Sequence, residues 1–293
     1  MRQETKNFIL LHIGLLFIST SGVLGRSISL DVPVTIAWRA VIGFACIFLL
    51  FIFQKKYLWI ARKHNKLAFL SAVFMAGHWL TYFYALYYSN IAISMIAIFT
   101  YPMMTVLLEP IFLKTPFHLQ IFITALVMTA GIAFLVPEYN FENSYTIGML
   151  FGLASALCYT FRNLIMKSLI DHYDGTKLML HQLFWAMVIL APIFLFYQDI
   201  NPGKEWPLIL ALGIMTTAIG HTLFVQSFRK YSVSMASIIS MIQPIYGIGL
   251  GVIILSEIPD WKTSIGGVII LTGLAIQNHL FKKSQVYHEE SKS

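Results

Sequence analysis

Apolar residues run along this chain in blocks of about twenty, separated by short polar segments, and a bilayer core needs about 20 apolar residues per crossing helix. The blocks predict ten helices, over 8–29, 33–53, 67–88, 91–113, 118–136, 146–168, 176–197, 207–228, 233–255 and 261–281. The connections between them are short and leave little room for an extramembrane domain. The predicted fold class is therefore all-α integral membrane.

The polar segments alternate in character. Lys55, Lys56, Arg62, Lys63 and Lys66 follow the second block, Lys114 the fourth, Lys177 the sixth, Arg229 and Lys230 the eighth, and Lys282 and Lys283 the last. The intervening connections hold Asp31, Glu138, Glu142, Asp199, Glu205, Glu257 and Asp260, with only Lys204 and Lys262 against them. Lys and Arg concentrate on the cytoplasmic side. Both termini are expected there, in a multi-pass protein of the inner or plasma membrane. An apolar run Phe8–Ile18 behind Arg2 and Lys6 has the outline of a secretory signal. The repeat described next needs it as an uncleaved first helix.

A shift of about 142 residues lays Pro102 on Pro244, Gly131 on Gly273 and Ala133 on Ala275. One residue of slippage brings Gly77-His78 onto Gly220-His221. Five crossings per copy would insert the second copy upside down, giving two inverted-topology repeats, a pattern shared by many secondary transporters. The expected units are 1–137 and 138–281, each of five helices, with 282–293 as a cytoplasmic tail.

Composition agrees. The 293 residues are 58% hydrophobic and 11% charged, where a soluble domain carries about a quarter charged residues. The net charge of +7 lies in loops as a topology signal and makes no nucleic-acid face. Cys46 and Cys158 sit inside apolar runs without metal or redox spacing, so no disulfide, metal or cofactor is expected.

Ionisable groups inside a membrane are costly, by about 2.5–3.5 kcal/mol on insertion scales, and each is a functional candidate by default. Here they are Arg39, Glu109 and Arg162, with His78, His181 and His221. Arg39 and the three histidines are read as lining a central polar cavity; the plainer alternative is that each histidine only hydrogen-bonds a neighbouring helix. Arg162 either faces the interior or snorkels to the interface. Glu109 is expected in an interfacial ion pair with Lys114 or another loop group.

Ser94, Ile98, Tyr101, Thr105 and Glu109 share one helical face, and the 142-residue shift maps it onto Ala236, Ser240, Gln243, Gly247 and Gly251. Both faces should point inward. Tyr101 and Gln243 join the candidate substrate-binding residues, as do Trp79 and Tyr82, one turn apart from or adjacent to His78. Pro102 and Pro244 each remove a backbone hydrogen bond in mid-helix and predict kinks that act as hinges or gates.

The run Ala85–Ser94 with Thr100-Tyr101-Pro102 resembles the signature of EamA-like proteins in the drug/metabolite transporter superfamily. Ser227 through Pro244, Ser256-Glu257 and Gly266-Gly267 resemble it again. The resemblance implies a ten-helix bundle with inverted halves and a cavity lined by the third, fourth, eighth and ninth helices. It also implies transport of amino acids, other metabolites, nucleotide sugars or drugs, often outward. Ser19-Thr20-Ser21-Gly22 and Thr115 depart from the usual pattern, which puts in doubt any transfer of substrate from relatives.

The expected function is a secondary, non-ATP transporter, an exporter of a small polar or amphipathic metabolite working by alternating access as a monomer or homodimer. Proton coupling, exchange and facilitated diffusion all stay open. A membrane-embedded transferase using mid-membrane histidines is the rival, and a sensor or structural membrane protein a weaker one. Paired carboxylates, a nucleophile with its base, or a metal cluster would mark an enzyme, and the sequence offers none of them.

Overall fold

The computed structural model describes residues 3–89, 91–134, 143–255 and, beyond them, 261, 265–266, 268–269, 271–273 and 275–276. Glu138, Glu142, Ser256, Glu257, Asp260, Lys262, Gly267 and the 282–293 tail lie outside the described residues.

The elements are α1 (Gln3–Ser27), α2 (Val32–Phe53), α3 (Arg62–Tyr88), α4 (Ile91–Ile98), α5 (Tyr101–Leu113), α6 (Leu119–Phe134) and α7 (Asn143–Ile170). There follow α8 (Gly175–Leu190), α9 (Ile193–Phe196), a 3₁₀ turn (Gly203–Glu205), α10 (Trp206–Ala211), a π segment (Leu212–His221), α11 (Thr222–Ser227), α12 (Val233–Ser240) and α13 (Gln243–Leu255). Among the described residues, six helical stretches are long and apolar enough to cross a membrane: Thr5–Ser27, Val32–Phe53, Arg62–Tyr88, Thr146–Ile170, Gly175–Phe196 and Gly203–Ser227. Tyr101–Leu113, Leu119–Gly131 and Val233–Gly247 are shorter apolar helices. Large apolar side chains such as Phe53, Leu195, Phe196 and Ile253 face outward, as a lipid-facing surface requires.

The expected fourth and ninth helices are each broken in two. Thr100 turns between α4 and α5, and Met241-Ile242 turn between α12 and α13. Pro102 and Pro244 therefore stand in the first turn of a new helix instead of kinking a continuous one. A missing N–H costs nothing there, and the fixed φ suits a helix start. The inward face survives the break: Ser94, Ile98, Tyr101, Thr105 and Glu109 are buried, as are Ala236, Ser240 and Gln243. Gly247 is half-buried, and the burial of Gly251 lies outside the described residues.

The core is built between the first and second halves of the chain. Helix α3 runs along α7 and α8, α2 along α8 and the π segment, α1 along the π segment and α13, and α5 against α12. One junction is capped by side chains. The first N–H groups of helix α12 lack an intrahelical partner. Ser232 Oγ accepts from Met235 N (3.1 Å), while the Glu109 carboxylate accepts from Val233 N (2.9 Å), Ser234 N (2.7 Å) and the Ser234 hydroxyl. Glu109 is thus a helix cap joining α5 to α12, and not the Lys114 ion pair that its sequence position suggests. An anion at a helix N-terminus is stabilised by the exposed N–H dipoles.

Candidate functional site

A cavity of about 60 Å³ lies inside the bundle. Seven of the eight sequence-predicted binding residues line it: Arg39, His78, Trp79, Tyr82, Tyr101, His221 and Gln243. The eighth, His181, does not. Its Nε2 lies 2.9 Å from the Leu58 carbonyl, and it lines a separate cavity of about 170 Å³ with Phe44, Phe48, Trp59 and Trp185.

Arg39 reaches its position because α2 and the π segment approach closely. A Cβ on Gly43 would stand 2.8 Å from the Thr217 methyl, and one on Gly213 would stand 2.5 Å from the Ile42 side chain. On the facing element, the Thr216 and Thr217 hydroxyls both donate to the Leu212 carbonyl, at 2.5 and 3.2 Å. Such side-chain bonds compete with the ordinary helical ladder. The segment from Leu212 to His221 adopts the wider π spacing, a feature that often marks functional sites.

Arg39 is 1% exposed, and its guanidinium carbon lies 4.4 Å from the centre of the Trp79 ring, a cation–π contact. It donates from Nε to Thr217 (2.7 Å), from Nη2 to Thr216 (3.0 Å) and, at the limit, from Nη1 to Ser21 (3.5 Å). Nη2 also lies 3.3 Å from His221 Nε2. All four partners are neutral. The one buried carboxylate among the described residues is Glu109, already committed to α12.

Hydrogen-bond bookkeeping fixes the proton positions on both neutral imidazoles. A guanidinium only donates, so His221 Nε2 accepts and the ring proton sits on Nδ1. That buried Nδ1 has no partner, and neither does the buried Nε1 of Trp79. His78 carries its proton on the same nitrogen, but there Nδ1 is the engaged atom and Nε2 the free one. The Ser155 hydroxyl spends its proton on the His78 carbonyl (2.9 Å), so His78 Nδ1 donates to Ser155 Oγ (2.8 Å) and Nε2 keeps a lone pair. The cavity thus holds one guanidinium, two uncommitted donors and an acceptor.

Sequence reasoning missed Tyr159, which lines the cavity and stacks on His78 with ring centres 4.4 Å apart. It also meets Tyr101 edge-on at 4.9 Å. Tyr101 in turn bonds through its hydroxyl to Ser240 on α12. Thr216 and Thr217 were missed as well; two adjacent hydroxyls opposite an intramembrane arginine were the available signal. Arg162 is fully buried and does not snorkel. Among the described residues no group of three His, Cys, Asp or Glu side chains could hold a metal ion.

A profile of the EamA-like transporter family matches residues 5–136 and again 146–278. The chain belongs to the EamA-like transporter family. It is a multi-pass membrane transporter and not an enzyme, with a small-molecule substrate and the lipid bilayer as its partners. The pseudopaline exporter CntI of Pseudomonas aeruginosa is 24% identical over 248 residues, covering 84% of this chain and 85% of that protein. The uncharacterized transporter YoaV of Bacillus subtilis is 21% identical over 256 residues, covering 85% and 87% respectively. A solved crystal structure shares the fold at a TM-score of 0.80 and 19% identity, covering 95% of this chain and 98% of that one.

Proposed function

We propose that this EamA-like protein exports a small metabolite bearing an acidic group, by alternating access around the Arg39 cavity. The observation that carries the reading is a fully buried guanidinium without an acidic partner, beside two buried N–H donors that no protein group accepts. A buried charge is strongly disfavoured unless it is paired, and an anionic solute would supply the missing partner. His78 Nε2 offers an acceptor to an amine or hydroxyl elsewhere on the solute. Trp79, Tyr82 and Tyr101 would shape the pocket and Gln243 would add hydrogen bonds.

The architecture that goes with this reading is ten helices in two inverted five-helix repeats, 1–137 and 138–281, with both termini cytoplasmic. Two successive family matches and the alternation of Lys and Arg between loops support it. The breaks beside Pro102 and Pro244 are the proposed hinges. Outward transport is supported by the name of the relative CntI. His78 and His221 are the candidate groups for proton coupling, and a monomer or homodimer is the proposed assembly.

The test is uptake by proteoliposomes of a panel of anionic, zwitterionic, neutral and cationic metabolites, with and without an imposed pH gradient. Saturable uptake confined to solutes with an acidic group supports the reading. Preference for cations or uncharged solutes overturns it, and flux indifferent to the gradient removes proton coupling.

A further inference from the structure

We propose that Arg162 is a second anion-binding station, so that the preferred solute carries two acidic groups. The inference rests on the anion reading of the Arg39 cavity and deepens it.

Arg162 sits on α7, one turn beyond Tyr159, and is as deeply buried as Arg39. Every group that it touches is neutral. Nε and Nη2 both donate to the Gln182 carboxamide oxygen, at 3.0 and 2.7 Å, and Nη1 donates to Asn163 Oδ1 at 2.9 Å. Nη2 also meets the Met179 sulfur at 3.0 Å. Gln182 is itself held by its donation to the Ser71 carbonyl (3.1 Å). The fork Nε–Nη2 thus grips one uncharged oxygen where guanidinium groups ordinarily grip a carboxylate. One N–H of Nη1 remains beyond these bonds.

A second observation points to a ligand. Asn163 Nδ2, on a residue with no solvent exposure, makes no hydrogen bond of ordinary geometry and has only a weak interaction with the Tyr159 hydroxyl. A charge and an under-bonded donor side by side repeat the combination found at Arg39, Trp79 and His221. Together the two sites place two guanidiniums in the interior. The one buried carboxylate among the described residues is used elsewhere.

The stations are contiguous. The Arg162 guanidinium carbon lies 5.8 Å from the Tyr159 ring centre. The same ring lines the Arg39 cavity and meets His221 at 6.0 Å. The Tyr159 ring is therefore shared by the two stations, and its displacement would open the Arg39 cavity toward Arg162. A merely structural tie between α7 and α8 would need no charge, since an apolar pair of similar volume does that work at least as well.

The experiment compares labelled acid–amide pairs of equal size in proteoliposomes: glutarate with its monoamide, succinate with its monoamide, and glutamate with glutamine. The diacid should be taken up about tenfold better at limiting concentration, the scale of one close charge pair. Arg162→Gln should bring that ratio to about 1, while Arg162→Lys, which keeps the charge, should preserve a clear preference; both are checked for folding by their melting temperature. A ratio near 1 in the wild type overturns the inference, as does an unchanged ratio in Arg162→Gln when both uptakes fall together. Transport of neither member of any pair fails the anion reading itself, whereas transport of monoacids and diacids alike fails only the second station.

Discussion

Glu109 gives the sharpest test of how the two halves are tied. Its carboxylate receives Val233 N, Ser234 N and the Ser234 hydroxyl and is 3% exposed. Glu109→Gln keeps one acceptor oxygen and turns an NH₂ group toward a donor. It loses one charge-assisted bond and strands one buried N–H, at a cost of about 2–3 kcal/mol. Glu109→Ala strands both N–H groups, and the penalty should reach about 3–5 kcal/mol. At about 2.1 cal/mol/K per residue, unfolding a chain of 293 residues changes the entropy by about 0.6 kcal/mol/K, so 1 kcal/mol moves the melting temperature by about 1.5–2 °C. The losses are then about 3–6 °C for Glu109→Gln and more for Glu109→Ala. Cys46 and Cys158 are half-buried free thiols, so a thiol-reactive dye reports the unfolding of detergent-solubilised protein directly. Glu109→Asp, one methylene shorter, should fall between wild type and Glu109→Gln. If Glu109→Ala melts with the wild type, the cap carries no stability and the accounting is wrong.

Other substitutions probe neighbouring parts of the account. Gln182→Leu leaves Arg162 without its principal acceptor and should cost about 3–5 kcal/mol, whereas Gln182→Leu with Arg162→Met should recover most of that loss, as a double-mutant cycle on melting temperature will show. Gly213→Val pushes a side chain into Ile42; overpacking of this kind costs about 1–3 kcal/mol, and it should displace Arg39 enough to reduce uptake more than stability. Tyr101→Phe removes the hydroxyl that bonds Ser240 across the α5–α12 contact, at about 1 kcal/mol, and initial uptake rates should change while the preference among solutes stays the same.

Much of this was legible in the chain. Runs of about twenty apolar residues are an unambiguous signal in a membrane protein, and the scarcity of intramembrane charge made Arg39, His78 and His221 stand out. Tyr101 followed from its place on the inward face of the fourth apolar block, and Trp79 and Tyr82 from their depth in the third and, for Tyr82, its position one turn from His78. The misses have physical causes. Proline marks where a hydrogen-bond ladder is interrupted, but whether the helix bends or restarts depends on packing, so the breaks at Thr100 and Met241-Ile242 were read as kinks. His181 was placed by its repeat partner Arg39, yet inverted copies need not present equivalent groups to a common centre. Glu109 looked interfacial because sequence depth does not reveal that another helix starts against it. Tyr159 is one aromatic among many apolar neighbours, and only its contacts distinguish it.

The most direct test of the central claim is proteoliposome uptake of an acidic solute that the wild type carries, repeated with Arg39→Gln and Arg39→Lys. Loss of a close charge pair is worth at least about tenfold. Arg39→Gln should therefore lose at least that much of the uptake while remaining folded, with partial retention in Arg39→Lys. Undiminished uptake of the acidic solute by folded Arg39→Gln protein would contradict the account.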